Sequence, residues 1–314
     1  MRSPTLEGMG ITRTEIETAS SRIDGHIRRT PTAEIEPGTL WFKLEQLQHT
    51  GSFKARGAFN RILAAIETGS LPAAGVIAAS GGNAGLAVAF AAARLGAHAE
   101  VYVPETAPRV KVRRLVSLGA EVVQVGRKYA DAHEAAVKRA AETGALLCHA
   151  YDQPEICAGQ GTLGLEVLEQ TGGVDTILIA VGGGGLMAGV AAAVAGHARV
   201  IAVEPRTIPT LHDALAAGRP VDVEVSGIAA DSLGATRIGD IAYDVATRTE
   251  VVSLLVEDED IIEARRLLWD RHRLAVEHGT AAAFAALHTG GYRPAAGERV
   301  AVVLCGANTD PSDF

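Results

Sequence analysis

One lysine stands between a phenylalanine and an alanine in GSFKARGAFN, residues 51–60, and its amine is the first candidate for chemistry. Of the 29 lysines and arginines, only Lys43, Lys54, Lys111, Lys128 and Lys138 are lysines. Arginine keeps its proton near neutral pH, whereas lysine releases it when desolvated or set beside another positive charge. A neutral lysine amine attacks a carbonyl carbon and forms a Schiff base. The plainer reading of Lys54 is a solvated charge on a helix. These ten residues do not choose between the two.

Four further stretches carry candidate groups. Gly182-Gly183-Gly184-Gly185 follows the apolar run TILIAV and precedes LMAGVAAAVAG. Glycines let backbone N–H groups close around an anion with a helix dipole behind them, so the stretch reads as a phosphate cradle. A tight turn needs one or two glycines, not four. The same residues fit the dinucleotide pattern G-x-G-x-x-G/A, and Glu204 ends the next strand where a ribose-binding acid belongs. A nicotinamide-dependent dehydrogenase is therefore a rival. Ser80-Gly81-Gly82-Asn83-Ala84-Gly85 opens a second helix and suits a planar carboxylate, although Ser80 or Asn83 could simply cap that helix. Cys305-Gly306-Ala307-Asn308 closes the last strand; its plain reading is a small core thiol. Glu277-His278-Gly279-Thr280 precedes a helix of small residues, and its plain reading is a solvated loop acid.

The elements that must position these groups alternate. Helical patterns are expected over 13–28, 52–67, 84–95, 108–118, 129–143, 156–170, 186–195 and 258–274. Strands are expected over 41–44, 76–79, 100–103, 121–125, 146–149, 176–181, 200–203, 251–256 and 300–304. Alternation of this kind predicts α/β layers with largely parallel twisted sheets flanked by helices. Residues 76–149 read as a small α/β domain inserted in a larger discontinuous one, 1–75 and 150–314. Active sites in open α/β sheets lie beyond the carboxyl ends of strands, where all the motifs above fall.

Composition narrows the classes. The 314 residues are 47% hydrophobic and 21% charged, with net charge −8. That suits a globular fold with ample core and no basic stripe for nucleic acid or anionic membrane. Ile177–Gly196 has no charge across 20 residues, long enough for a bilayer, but the four glycines in its middle favour strand, loop and helix. Cys148, Cys157 and Cys305 form no CxxC pair, no metal-ligand cluster is visible, and the first ten residues lack an apolar leader. The expectation is a cytoplasmic protein without a structural metal.

Taken in order, Lys54 in GSFKARGA, SGGNAG, GQGTLGLEVL at 159–168, the four glycines, VEP at 203–205 and CGAN resemble the serine/threonine dehydratase family of fold-type II pyridoxal-phosphate enzymes. The resemblance runs from about Ile11 to Asp310 and tips the glycine loop away from a dinucleotide. It implies that Lys54 carries pyridoxal 5′-phosphate as a Schiff base, with Phe53 beside it. Gly182, Gly183, Gly184, Gly185 and Leu186 would cradle the phosphate, Asn83 would bond the ring's phenolic oxygen, and Cys305 would face the ring nitrogen. Ser80, Gly81, Gly82, Asn83, Ala84 and Glu277 would receive the amino-acid substrate. The implied reaction is β-elimination: L-threonine to 2-oxobutanoate, or L-serine to pyruvate, each with ammonia, with Lys54 as base. Another lyase or β-replacing enzyme of the same fold type, or a serine racemase, is the alternative. The resemblance also implies a homodimer.

Three departures matter. Racemising relatives carry serine where this chain has Gly81, so no side chain offers a proton there. Relatives with a divalent metal place an acid six residues after the glutamate of VEP; here Thr210 stands at that distance from Glu204, with Asp213 nearby. The chain ends four residues after CGANTD, so feedback by isoleucine through a C-terminal regulatory domain is not expected.

Overall fold

The computed structural model describes residues 11–310 and Ser312. The first ten residues and Phe314, on which the leader and chain-end expectations rest, lie outside them. In chain order the elements are α1 (Arg13–Ile23), β1 (Thr32–Glu36), β2 (Leu40–Lys43), α2 (Lys54–Glu67), β3 (Val76–Ala79), α3 (Asn83–Arg94), β4 (Ala99–Val103), α4 (Arg109–Ser117), β5 (Glu121–Gln124), α5 (Tyr129–Thr143), β6 (Leu146–Leu147), α6 (Pro154–Thr171), β7 (Thr176–Ala180), α7 (Gly185–Val194), β8 (Arg199–Pro205), α8 (Thr210–Ala217), α9 (Ala230–Leu233), α10 (Asp240–Arg248), β9 (Val252–Val256), α11 (Asp258–His272), α12 (His278–His288) and β10 (Val300–Val303).

Two sheets organise these elements. One has the order β1-β2-β10-β7-β8-β9 and the other β5-β4-β3-β6. Among the named strands of the described residues, β1 and β2 pair antiparallel and the other pairs are parallel. The charge-free stretch resolves into β7, a loop and α7, and among the described residues no helix is long and apolar enough to cross a membrane.

The apolar runs explain the parallel layers. β7 and β10 are buried at every position, as strands covered on both faces must be. Their side chains alternate between two cores. Ile177 and Ile179 pack with Met187 and Val190 of α7, while Leu178 and Ala180 pack with Ala282 and Ala283 of α12. In the smaller sheet, Val76, Ala78 and Val101 share a core with Leu86 of α3 and Phe59 and Ile62 of α2. Ile77 and Tyr102 face Ala132 and Ala136 of α5.

The start of α2 is held against the larger sheet. Phe53 N donates to Cys305 O at 3.0 Å, and Ser52 bridges Gly306. Two residues beyond Lys54, the fully buried Arg56 guanidinium meets two carboxylates. It donates to Glu45 at 2.5 and 3.0 Å and to Glu166 at 2.7 and 2.9 Å. Lys43, also fully buried, adds a bond to Glu166 at 2.6 Å. Two cations and two anions thus balance inside the fold and tie β2, α2 and α6 together.

Removing one member of such a network leaves buried charge without a partner, which costs about 3–5 kcal/mol. Arg56→Met leaves the buried Glu45 without its cation and Glu166 with Lys43 alone, and should destabilise the fold by that amount, read from the urea unfolding midpoint. A loss below about 1 kcal/mol, the scale of a surface ion pair, would show that the network does not hold α2.

Candidate active site

The carboxyl ends of the two sheets open onto one cavity of about 490 Å³. Its walls include Phe53, Lys54, Ser80 to Ala84, Gly182 to Leu186, Glu277 and Cys305, so the predicted site residues converge although they are scattered through the chain.

Lys54 is the first residue of α2. Its Nζ donates to Ala150 O at 2.5 Å and lies 4.8 Å from the centre of the Phe53 ring. Surrounding protein atoms strip water from the ammonium and lower its pKa to about 8, against the weaker opposite pull of Cys157, Cys305 and Glu277. A solvated helix charge does not describe this lysine.

All four glycines of the loop after β7 are required. A Cβ on Gly182 would lie 2.7 Å from Leu233 O, and one on Gly183 would lie 2.3 Å from the Tyr151 ring. Gly184 has φ +85, and a Cβ there would come within 2.5 Å of Ala242 and Ile238; one on Gly185 would meet Tyr151 O at 2.5 Å. Packing therefore presses the bare backbone from outside, and a tight turn alone does not account for the run. Gly184 is the N-cap of α7, and no side chain caps the helix. The first-turn N–H groups have no partner within a helix, so they and the helix dipole are available to an anion.

The loop after β3 repeats the theme in a more polar form. Gly82 is the N-cap of α3 and again no side chain caps the helix. Ser80 Oγ instead accepts from Gly82 N at 3.2 Å. The Asn83 side chain points to other partners: its Nδ2 donates to Glu277 Oε1 at 2.8 Å, and its Oδ1 accepts from Asn308 Nδ2 at 2.5 Å. The ordinary-cap reading thus fails for Asn83. With its oxygen and one N–H engaged, the amide has a defined orientation and one N–H left to give.

Glu277 is buried rather than solvated. Burial pushes its carboxyl up to about 7, against the bond from Asn83. Cys305 is also buried, which pushes its thiol up to about 12, and its Sγ lies 3.2 Å from Thr280 Oγ1. The thiol is therefore neutral. Sequence reasoning gave no role to Tyr151, Thr280 or Asn308; Thr280 and Asn308 lie in stretches it singled out, and Tyr151 does not.

The dehydrogenase alternative fails at Glu204. This side chain is fully buried and accepts from Leu211 N at 2.7 Å, His212 N at 2.9 Å and Ser253 Oγ at 3.0 Å. Thr210 Oγ1 lies 3.1 Å from it and 2.5 Å from Gly182 O. A carboxylate occupied in this way has no reach to a ribose; it anchors the start of α8 and, through Thr210, the glycine loop.

The donor set fits a phosphorylated aldehyde. A capless glycine helix start suits the phosphate, a desolvated lysine suits the aldehyde carbon, and a neutral thiol can face a ring nitrogen without charging it. Comparison with known proteins agrees. Residues 23–306 match the family model described as pyridoxal-phosphate dependent enzyme. The chain is 38% identical over 306 residues to an L-threonine ammonia-lyase of Geobacter sulfurreducens, covering 95% of this chain and 75% of the relative. It is 39% identical over 303 residues to a phenylserine dehydratase of Ralstonia pickettii, covering 94% and 92%. The structure of maize serine racemase superposes with a TM-score of 0.89 at 30% identity, covering 96% of this chain and 95% of that one. The chain belongs to the fold-type II pyridoxal-phosphate-dependent enzymes.

Proposed function

We propose that the chain is an ammonia-lyase that removes water and then ammonia from L-threonine or L-serine, giving the 2-oxo acid. The observation that carries this reading is the meeting of a desolvated Lys54 with two capless helix starts of different character in one cavity. The threonine ammonia-lyase likeness over 95% of the chain supports it.

Bound pyridoxal phosphate supplies an electron sink that stabilises negative charge at the substrate Cα. The chain's own residues do the rest. Backbone N–H groups of Gly182 to Leu186 hold the phosphate, and Phe53 lies beside Lys54. Asn83, oriented by Glu277 and Asn308, offers its remaining N–H to the ring oxygen. The neutral Cys305 thiol would face the ring nitrogen without holding a proton on it, which would keep the sink moderate. Ser80, Gly81, Gly82, Asn83 and Ala84 receive the substrate carboxylate at the start of α3, with Glu277 behind them. Lys54 Nζ takes the Cα proton as general base. The same reading divides the chain into a larger domain, 1–75 and 150–314, and a smaller one, 76–149. It also includes a homodimer in the cytoplasm. Three unpaired cysteines accord with a reducing compartment, and light scattering that found a monomer would remove the dimer.

Racemisation is the competing outcome, and Gly81 argues against it. No side chain there can deliver a proton to the face opposite Lys54. A catalytic acid–base group is worth ~10²–10⁴-fold in rate, so D-serine should trail pyruvate by that margin when L-serine is supplied. A Cβ at residue 81 would meet only Val103 Cγ1 at 3.5 Å, an ordinary contact. Gly81→Ser should therefore fold normally and raise D-serine formation. The assay measures 2-oxo acid and D-serine side by side with L-threonine and L-serine. No 2-oxo acid from either substrate overturns the lyase reading, and D-serine formed as fast as pyruvate replaces it with racemase.

A further inference from the structure

Among the described residues, four charged side chains line the cavity: Lys54, Lys111, Asp231 and Glu277. Two are already engaged. Lys54 serves the cofactor in the proposed reading, and Glu277 is hydrogen-bonded to Asn83. The remaining two, Lys111 and Asp231, form an ion pair with each other. Lys111 is in the first turn of α4, beside the smaller sheet, and Asp231 is on α9, beside α12 and the larger sheet. The pair therefore crosses the cleft between the two layers. Its side chains are partly open to solvent, at 32% and 70%, which places it at the rim. The rest of the rim near it is uncharged, with Thr106, Ala107, Pro108 and Ser232 among the wall residues.

The charges are felt inside the cavity. The Asp231 carboxylate pushes the pKa of the buried Glu277 carboxyl up and the Lys111 ammonium pulls it down, so both fields reach the residue that orients Asn83. A substrate whose carboxylate lies at the start of α3 would come under the same two fields. While the pair is intact they largely cancel, and an uncharged β-substituent meets no net charge. An anionic β-substituent would gain from Lys111 only what it loses to Asp231.

We propose that Lys111 and Asp231 together set the charge preference of the substrate compartment, each neutralising the other so that amino acids with uncharged β-substituents are favoured. This rests on the reading of the cavity as an amino-acid site and deepens it: the substrate class is neutral hydroxy amino acids, and 3-hydroxyaspartate-like compounds are disfavoured. Asp231 is then the residue that denies a β-carboxylate the Lys111 ammonium, and Lys111 the one that denies a β-cation the Asp231 carboxylate.

The test titrates the holoenzyme with three amino acids that lack a leaving group, following the absorbance change of the bound cofactor. L-alanine is the neutral probe, L-aspartate the anionic one and L-2,4-diaminobutyrate the cationic one. In Asp231→Asn the affinity for L-aspartate relative to L-alanine should rise roughly tenfold, the scale of one charge a few ångströms away in a partly solvated cleft. In Lys111→Met the change should reverse: L-2,4-diaminobutyrate gains on L-alanine by a similar factor and L-aspartate falls. Opposite signs in two single substitutions are not what a merely structural rim would give. Parallel changes for all three probes in both variants, or an unchanged ratio in Asp231→Asn, overturn the proposal alone. A wild-type spectrum that responds to none of the three overturns the amino-acid site as well.

Discussion

Lys54→Ala should leave a protein that folds but releases no 2-oxo acid from L-threonine or L-serine. Two losses combine. The amine proposed to bond the cofactor carbonyl is gone, and so is the base proposed to take the Cα proton. Loss of the base alone costs ~10²–10⁴-fold. The environment supports this assignment over any other lysine. With its pKa lowered to about 8, about a tenth of the free amine is neutral at pH 7, against roughly three in ten thousand at the ordinary lysine value. Lys43 is the nearest competitor by burial, but its ammonium is committed to Glu166, Thr30 O and Gln170. Borohydride reduction of the holoenzyme followed by peptide mapping should place the pyridoxyl group on Lys54. A label on Lys43, or substantial turnover by Lys54→Ala, would remove the assignment. Lys54→Arg is the useful companion, because it keeps the charge while arginine cannot supply a neutral amine; it should be as inactive as the alanine variant.

Much of this arrangement was legible in the sequence, for reasons that can be traced residue by residue. Buried parallel strands read as unbroken apolar runs, so β3 was expected with its observed bounds and β7 and β10 to within a residue. Helix α5 was also expected over its full length, between a polar start and the left-handed Gly144 that ends it. β1 was missed because Thr32–Glu36 is a half-exposed edge strand whose polar residues carry no apolar signal. Helices α8, α9 and α10 were missed because they are short and lie in a stretch rich in turn residues; their packing against the glycine loop and α7 supplies what local propensity does not. At the site, glycine runs and the lone lysine announce themselves because few residue types can do their work. The partners that position them do not. Tyr151 lies beside Gly183, and Asn308 and Glu277 hold Asn83 across 225 and 194 residues of chain. Such contacts exist only once the two sheets have been assembled. Thr210 and Glu204 belong to the same class: the sequence places them where relatives hold a metal, and the structure shows a hydroxyl and helix N–H groups filling that carboxylate's hydrogen bonds.

Gly184→Asp should purify without bound cofactor. Two effects act at once, and a second variant separates them. Gly184 has φ +85, in the left-handed region, where an L-residue costs about 1–2 kcal/mol. Its new Cβ would also come within 2.5 Å of Ala242 and Ile238, so α10 must shift outward. Gly184→Ala carries both of these burdens and no charge. The aspartate adds a carboxylate at a helix start whose open N–H groups and dipole favour an anion, so it competes for the donors that the phosphate needs. Repulsion between unit charges about 4 Å apart is roughly 4 kcal/mol at the effective dielectric of a partly buried site, and the phosphate is a dianion. Cofactor affinity should therefore fall at least ~10²-fold further in Gly184→Asp than in Gly184→Ala. Gel filtration followed by the cofactor absorbance reads retention, and a titration of the apoprotein with pyridoxal phosphate reads the dissociation constant. Melting of both apoproteins shows what the backbone strain alone does. Equal retention in the two variants would mean that the loop shapes the cavity without binding the phosphate. Wild-type retention in Gly184→Asp would move the phosphate site elsewhere, with the capless start of α3 next in line.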